Sequence, residues 1–257
     1  MIDLKGKTVL ITGSSAGIGK ACAERYAQSG ARLILIARRI EKIKEVAEEL
    51  FRKYGTESYN IQADVRNYKE IKKYIDDLPD NWKAIDILIN NAGKARGLDF
   101  IYEGDLDDWE EMIDTNIKGL LYLSRLVMPG MVERGSGQVI NIASIAGRQV
   151  YPKGSVYCAT KSAVRALSEG MVIDTNGTGV RVSNIDPGLV ETEFASVRFH
   201  GDEEKAENVY KGYKPLTGED IAEICHFCSI MPDHVMIQDL LVTPTAQASA
   251  TIVHKEL

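Results

Sequence analysis

Tyr157 and Lys161 stand four residues apart in Tyr157-Cys158-Ala159-Thr160-Lys161, just ahead of an apolar run with helical spacing. On a helix that interval puts a phenol and an ammonium on one face, one turn apart. A tyrosine titrates near pH ~10 and is a poor proton donor or acceptor at neutral pH. A lysine one turn away favours the phenolate and is expected to pull that value down, making Tyr157 a usable general acid/base. Such pairs also occur on solvated helix faces, so this one takes its meaning from its surroundings.

The first of these is Thr12-Gly13-Ser14-Ser15-Ala16-Gly17-Ile18-Gly19, which follows an apolar run and opens a longer segment. Glycines at 13, 17 and 19 permit a tight turn, close approach of a pyrophosphate and close helix packing. Free N–H groups at the helix start would face the negative charge, so cofactor contact is expected along Gly13, Ser14, Ser15, Ala16, Gly17, Ile18 and Gly19. The spacing G-x-x-x-G-x-G departs from the common G-x-G-x-x-G fingerprint, and without a strand before it and a helix after it would be only a turn.

The next apolar run ends Ile36-Ala37-Arg38-Arg39, with no acid before Glu41. Sites that select NAD place an Asp or Glu there for the ribose 2′-hydroxyl. Two guanidiniums instead suit a 2′-phosphate. Charge-assisted bonds of roughly 1.5–3 kcal/mol correspond to about a tenfold to hundredfold preference for NADP. Asp64-Val65 ends a third run, where the carboxylate could accept from an adenine amino group. Asn90-Asn91-Ala92-Gly93 ends a fourth, where small residues leave room for the adenine ribose.

These groups must be positioned by a scaffold that brings strand ends together. Residues 7–12, 32–37, 58–63, 85–90, 138–143, 181–185 and 237–242 read as strands, several almost continuously apolar, as a parallel sheet buried on both faces requires. Residues 41–54 and 68–78 carry helical spacing, with Pro79 closing the latter. Thr217 with Asp220 looks like an N-cap opening a helix to residue 231. The alternation predicts an α/β fold: one Rossmann-type doubly wound parallel sheet of about seven strands in a single domain. Residues 189–213 break the rhythm with a long polar connection, where a substrate lid is expected.

Composition narrows the function classes. The 257 residues are 44% hydrophobic and 26% charged, ordinary for a globular protein, and the net charge of −6 argues against nucleic-acid or acidic-membrane binding. The start lacks an apolar signal core and no stretch is long enough to span a bilayer, so a cytoplasmic location is the default. Four cysteines do not make a disulfide framework. Cys225-x-x-Cys228 has no matching second pair, so no metal is expected.

As an ordered set, residues 12–19, Asp64, residues 90–93, Asn116, Ser144, Tyr157, Lys161 and Pro187-Gly188 resemble the short-chain dehydrogenase/reductase superfamily over essentially the full length. Arg38-Arg39, Asp108-Trp109-Glu110, residues 112–116, residues 187–194 and the run from Val197-Arg198-Phe199 to Lys205-Ala206-Glu207 resemble one branch more closely. That branch is the NADP-dependent 3-hydroxy acid dehydrogenases, which includes serine, L-allo-threonine and 3-hydroxypropionate (malonic semialdehyde) oxidoreductases.

The resemblance implies roles. Tyr157 would exchange a proton with the substrate oxygen while hydride moves to or from the nicotinamide. Lys161 would lower the tyrosine's pKa and bind the nicotinamide ribose. Ser144 would hydrogen-bond the same substrate oxygen. Asn116 would hold a helix irregularity and a water that relays protons. Pro187, Gly188, Val190 and Thr192 would contact the nicotinamide carboxamide and pyrophosphate region. A homotetramer is implied, built on the helices around Asn116 and Tyr157 and on the C-terminal segment.

A 3-hydroxy acid needs its carboxylate held. Arg148, Lys153 and Arg198 are the cations near the substrate-side loops, and a bidentate arginine fits best. Arg198 on the lid is the first candidate and Arg148 the second. Three features depart from expectation: Gly170 inside a helix, the flexible 176–179 stretch, and Asp186, a charge set beside an anionic cofactor. A serine hydrolase is excluded because no G-x-S-x-G elbow surrounds Ser144. The alternatives are a 3-oxoacyl carrier-protein reductase or broad carbonyl reductase, and more remotely a non-catalytic NADP-binding protein.

Overall fold

Seven parallel strands form one sheet in the order β3-β2-β1-β4-β5-β6-β7 in this computed structural model, which describes residues 1–256. The first half runs β1 Thr8–Thr12, α1 Gly17–Gln28, β2 Arg32–Ala37, α2 Ile40–Tyr54, β3 Ser58–Gln62, α3 Tyr68–Asp76, α4 Asp80–Lys83 and β4 Ile87–Asn90. Then come α5 Leu106–Ile113, a π-helical turn Asp114–Lys118 and α6 Gly119–Arg134. The rest is β5 Gly137–Ile142, α7 Ser155–Asp174, β6 Val180–Pro187, α8 Phe194–Arg198, α9 Glu203–Tyr210, α10 Gly218–Ser229 and β7 Asp239–Val242. The fold expected from the strand–helix alternation is the one observed.

The apolar runs are continuous because both faces are covered. Successive strand residues point to opposite sides. Val9, Ile11, Leu33 and Leu35 pack with Cys22, Tyr26 and Ile43 on one face. Leu10, Ile34, Ile36 and Leu88 pack with Ile71 and Leu123 on the other. Each such side chain, fully buried, stabilises by about 1.5–3 kcal/mol, and together they fix the register that aligns the strand ends.

Local signals set the boundaries. Thr217 and Asp220 form a reciprocal capping box at the start of α10, with Thr217 N–H 2.8 Å from the Asp220 carboxylate. The helix ends at Ser229, earlier than its apolar pattern suggested. α3 ends at Asp76, short of the expected residue 78, and Pro79 stands at the N-terminal boundary of the short α4. β6 runs on to Pro187, whose missing N–H is no loss at the strand end, and Gly188 N–H closes the ladder on Val242 O at 2.7 Å. The polar 189–213 connection contains α8 and α9. Because β2 and β4 flank β1, the chain reverses direction there, and a crevice opens beyond the carboxyl ends of the strands.

Candidate active site

That crevice begins at the glycine turn. Gly13 and Gly17 hold φ of +67° and +51°, which a side chain would strain. A Cβ at Gly19 would lie 2.3 Å from Gly13 O, so only glycine lets α1 start this close to β1. Thr12 Oγ1 accepts from the N–H groups of Asn91 (3.0 Å) and Ala92 (2.9 Å), tying the turn to the end of β4. No side chain caps α1 and no acid lies in its first turn, so its leading N–H groups face the crevice.

Two cavities share Gly13 and Ala92. One of about 580 Å³ runs from Gly13 and Ile18 to Ser144, Tyr157 and Lys161, passing Pro187, Gly188, Val190 and Thr192. The other, about 210 Å³, is lined by Ser15, Arg38, Arg39, Asp64 and Val65. A glycine cradle, a free helix start and a two-arginine compartment fit a dinucleotide carrying an extra phosphate.

Within this set, some side chains turn elsewhere. Ser14 is fully buried, and its hydroxyl donates to Ile36 O at 3.3 Å, so it ties the turn to β2 instead of facing the groove. Arg39 Nη2 donates to Ser15 Oγ (3.1 Å) and Glu193 Oε2 (2.8 Å). Asp64 is clasped by Arg66, with Nη2 to Oδ2 at 2.7 Å. Burial alone would raise its pKa, but the bonds and charge of Arg66 outweigh that and hold it low.

Ser144, Tyr157 and Lys161 converge at the far end. Ser144 follows β5 and accepts from Ala146 N–H at 3.1 Å, capping a 3-10 turn over Ile145–Gly147. Its hydroxyl donates to Pro187 O at 3.4 Å. α7 carries Tyr157 and Lys161 against this turn; a Cβ at Gly147 would meet Lys161 O at 2.6 Å. Lys161 Nζ donates to Ile142 O at 2.9 Å and lies 6.0 Å from the Tyr157 ring centre.

The electrostatics differ from the expectation drawn from spacing. Burial pushes the Tyr157 phenol up, Tyr151 adds to this, and a hydrogen bond with Ser144 and the charge of Arg198 only partly oppose it. Lys161 does not pull the phenol down. Burial instead brings Lys161 itself down to about 8, with the charge of Asp186 opposing. Spacing supplies adjacency, but both heads also lose water, and desolvation is the larger effect. Tyr157 therefore holds its proton at neutral pH and is poised as a donor.

Asn116 lies in the π-helical turn, where a helix irregularity was expected. Its amide nitrogen donates to Lys94 O (2.8 Å) and Thr160 Oγ1 (3.0 Å), and its oxygen accepts from Lys94 N–H (2.8 Å). Both donor hydrogens are engaged, so Asn116 ties the loop after β4 to α7.

On the substrate side, Arg198 stands at the end of α8. Its Nε donates to Gly97 O at 3.1 Å and Nη1 to Tyr151 Oη at 3.0 Å, with the guanidinium 5.8 Å from the Tyr157 ring centre. Arg148 is a correction. Its Nε lies 2.5 Å from Asp186 Oδ2 and its Nη2 2.5 Å from Asp239 Oδ1, so it neutralises acids and does not line the groove. Lys153 sits over the Phe100 ring, 4.5 Å from its centre. Sequence reasoning missed Tyr151, which has no periodic signal. It also missed Glu111, which gathers Lys94, Arg96 and Arg66 but reads as one more helix-surface charge.

A parallel sheet with a glycine turn at its switch point, and Ser, Tyr and Lys converging beyond it, defines a dinucleotide-binding α/β enzyme. The short chain dehydrogenase family profile matches residues 7–203, and the chain belongs to that family. It is 45% identical over 257 residues to an NADP-dependent 3-hydroxy acid dehydrogenase of Schizosaccharomyces pombe, covering all of this chain and 99% of that protein. It is 46% identical over 250 residues to the enzyme YdfG of the same description from Escherichia coli K12, covering 96% and 99%. A solved structure of the closed form of serine dehydrogenase complexed with NADP+ superposes with a TM-score of 0.92 at 45% identity, covering 97% of this chain and 100% of that one.

Proposed function

We propose that the protein is an NADP-dependent dehydrogenase of small 3-hydroxy acids, with serine, L-allo-threonine and 3-hydroxypropionate as its substrate class. The observation that carries this reading is the placement of Arg198. It is a cation 5.8 Å from the Tyr157 ring, in the same groove as Ser144 and at the end of α8. The named relatives and the NADP+-bound serine dehydrogenase support it. Arg38 and Arg39 would hold the 2′-phosphate, and the glycine turn the pyrophosphate.

Bound there, the cofactor supplies the hydride acceptor or donor. The chain's own residues would handle the proton and the orientation. Tyr157 Oη exchanges the proton with the substrate oxygen, and Ser144 Oγ hydrogen-bonds that oxygen as its charge develops. Lys161 holds its positive charge behind the pair. Arg198 takes the carboxylate, which fixes C3 toward the nicotinamide and excludes the reversed pose.

The experiment is NADP+ reduction over serine, L-allo-threonine, 3-hydroxypropionate and uncharged secondary alcohols, repeated with Arg198→Ala. KM for the hydroxy acids should rise far more than KM for an uncharged alcohol. An equal effect on both would remove Arg198 from the site. Turnover of uncharged alcohols alone would overturn the substrate class.

A further inference from the structure

Asp186 is a carboxylate with no exposed surface, set in β6 directly before Pro187-Gly188 and beside a groove built for anions. Hydride transfer gives it no role, and burying a charge is costly unless it is paired and hydrogen-bonded. Its partners are specific. Oδ1 accepts from Ser144 backbone N–H (3.3 Å) and from Asn184 Nδ2 (2.9 Å), while Oδ2 faces Arg148 Nε at 2.5 Å. Arg148 also grips Asp239 on β7, and Asp239 Oδ2 lies 3.6 Å from Arg165 Nε on α7. A chain of charge thus runs from the surface of α7 through Asp239 and Arg148 to the backbone of Ser144.

We propose that Asp186, oriented by Arg148, is the positioning residue of this active site, fixing Ser144 by its backbone N–H. The inference rests on the role assigned above to Ser144. Ser144 is gripped at both ends by adjacent residues of β6, its N–H by Asp186 and its hydroxyl by Pro187 O at 3.4 Å. A shift of Asp186 therefore moves the serine as a unit. Two acids share Arg148, and the acid at the buried end is the one nearer the catalytic groups.

The charged and titratable groups that face this cluster are few. Asp186 meets Arg148 from the turn after β5 and Asp239 from β7. Lys161 on α7 feels Asp186 and lies by Tyr157, which in turn faces Tyr151, Cys158 and Arg198. Burial pushes Asp186 up, while its bonds hold Arg148 above its ordinary value despite burial. The asymmetry follows from geometry: Asp186 is wholly enclosed, whereas Arg148 and Asp239 reach solvent.

The test compares kcat, KM and their pH profiles for the wild type, D186N, D186E and D186N/R148M, using the best substrate of the wild-type panel. If Lys161 acts as an ammonium, wild-type activity falls as pH rises through its ionisation. D186N should lower kcat on the order of tenfold to hundredfold, as misplacement of a reacting group does. It should also move that ionisation down, because a neighbouring negative charge is lost, with KM for NADP+ little changed. D186E, which keeps the charge but displaces the hydrogen bond, should lower kcat with the ionisation in place.

D186N/R148M removes both charges together. It carries the comparison if D186N fails to fold, and it should keep the lowered kcat, because the carboxylate that holds the Ser144 N–H is absent there too. A D186N with the kcat of the wild type, or a wild-type kcat in the double variant, would overturn the proposal and leave only a structural ion pair. A wild type that rejects hydroxy acids but oxidises another alcohol would fail the substrate reading alone, because these comparisons still run on that alcohol.

Discussion

Arg39 and Glu193 join hands across the cofactor groove, guanidinium Nη2 to carboxylate Oε2 at 2.8 Å. Arg39 stands at the start of α2, in the two-arginine compartment proposed above for a 2′-phosphate, and Glu193 leads into α8. A phosphate arriving at Arg39 must therefore compete with a carboxylate already there. Both side chains are about half exposed, so the pair is a weak tie.

Glu193→Gln removes the competitor and leaves Arg39 in place. NADP+ should bind about two- to fivefold more tightly, matching the ~0.2–1 kcal/mol of an exposed ion pair. NAD+, which lacks the phosphate, should be unaffected. The gain should shrink as salt is added, because exposed charges are screened. Titrating the variant with both nucleotides at two ionic strengths decides the matter. Equal tightening for NAD+ would show that Glu193 acts on the groove as a whole and not on Arg39.

Glu111 gives a pH prediction. It receives Lys94 Nζ at 2.6 Å, Arg96 Nε at 2.8 Å and Arg66 Nη1 at 3.5 Å. Burial would raise its carboxyl, but the bonds and charges of Lys94 and Arg96 prevail and lower it from 4.5 to about 2. A carboxylate depressed in the folded state contributes stability that is complete above its unfolded value and is lost as pH falls through the folded one. The window here is pH 4.5 down to about 2, and the contribution is at most about 3 kcal/mol. Denaturation at a series of pH values should show Glu111→Gln less stable than the wild type at neutral pH. The gap should close across that window. A constant gap would mean that the loss is one of packing.

The groups legible from sequence are those whose geometry is local. Gly13, Gly17 and Gly19 sit in one turn, Tyr157 and Lys161 on one helix, and strand periodicity brings Ser144 to the same edge of the sheet. Arg148 was misread because its partners, Asp186 and Asp239, come from β6 and β7, and only the tertiary register places them beside it. Asp186, odd when read alone, and Arg148 explain each other once paired. Ser14 turned inward because its hydroxyl reaches a β2 carbonyl 22 residues away. The electrostatics of Tyr157 escaped for a related reason. Spacing reports which charge is near, whereas burial beneath Phe194 and Arg198 is a product of how the 189–213 connection folds back.

One substitution, glycine to alanine, should act in opposite directions at two helix positions. At Gly19 the new methyl would lie 2.3 Å from Gly13 O and 2.6 Å from Asn91 Nδ2, contacts that only a retreat of α1 can relieve. Gly19→Ala should cost at least the ~1–3 kcal/mol of an overpacked site and abolish tight NADP+ binding, because the helix start is where the pyrophosphate is proposed to sit. At Gly170, inside α7, the methyl would meet nothing within 4 Å. Gly170→Ala should stabilise the chain by up to ~1 kcal/mol, raising Tm by about 2–4 °C and leaving cofactor affinity unchanged. Chemical denaturation and cofactor titration of both variants test the pair. A destabilised Gly170→Ala would mean that another surface presses on α7 at that point. In a homotetramer built on this helix, the surface would be a second copy of the chain, and the loss should then grow with protein concentration.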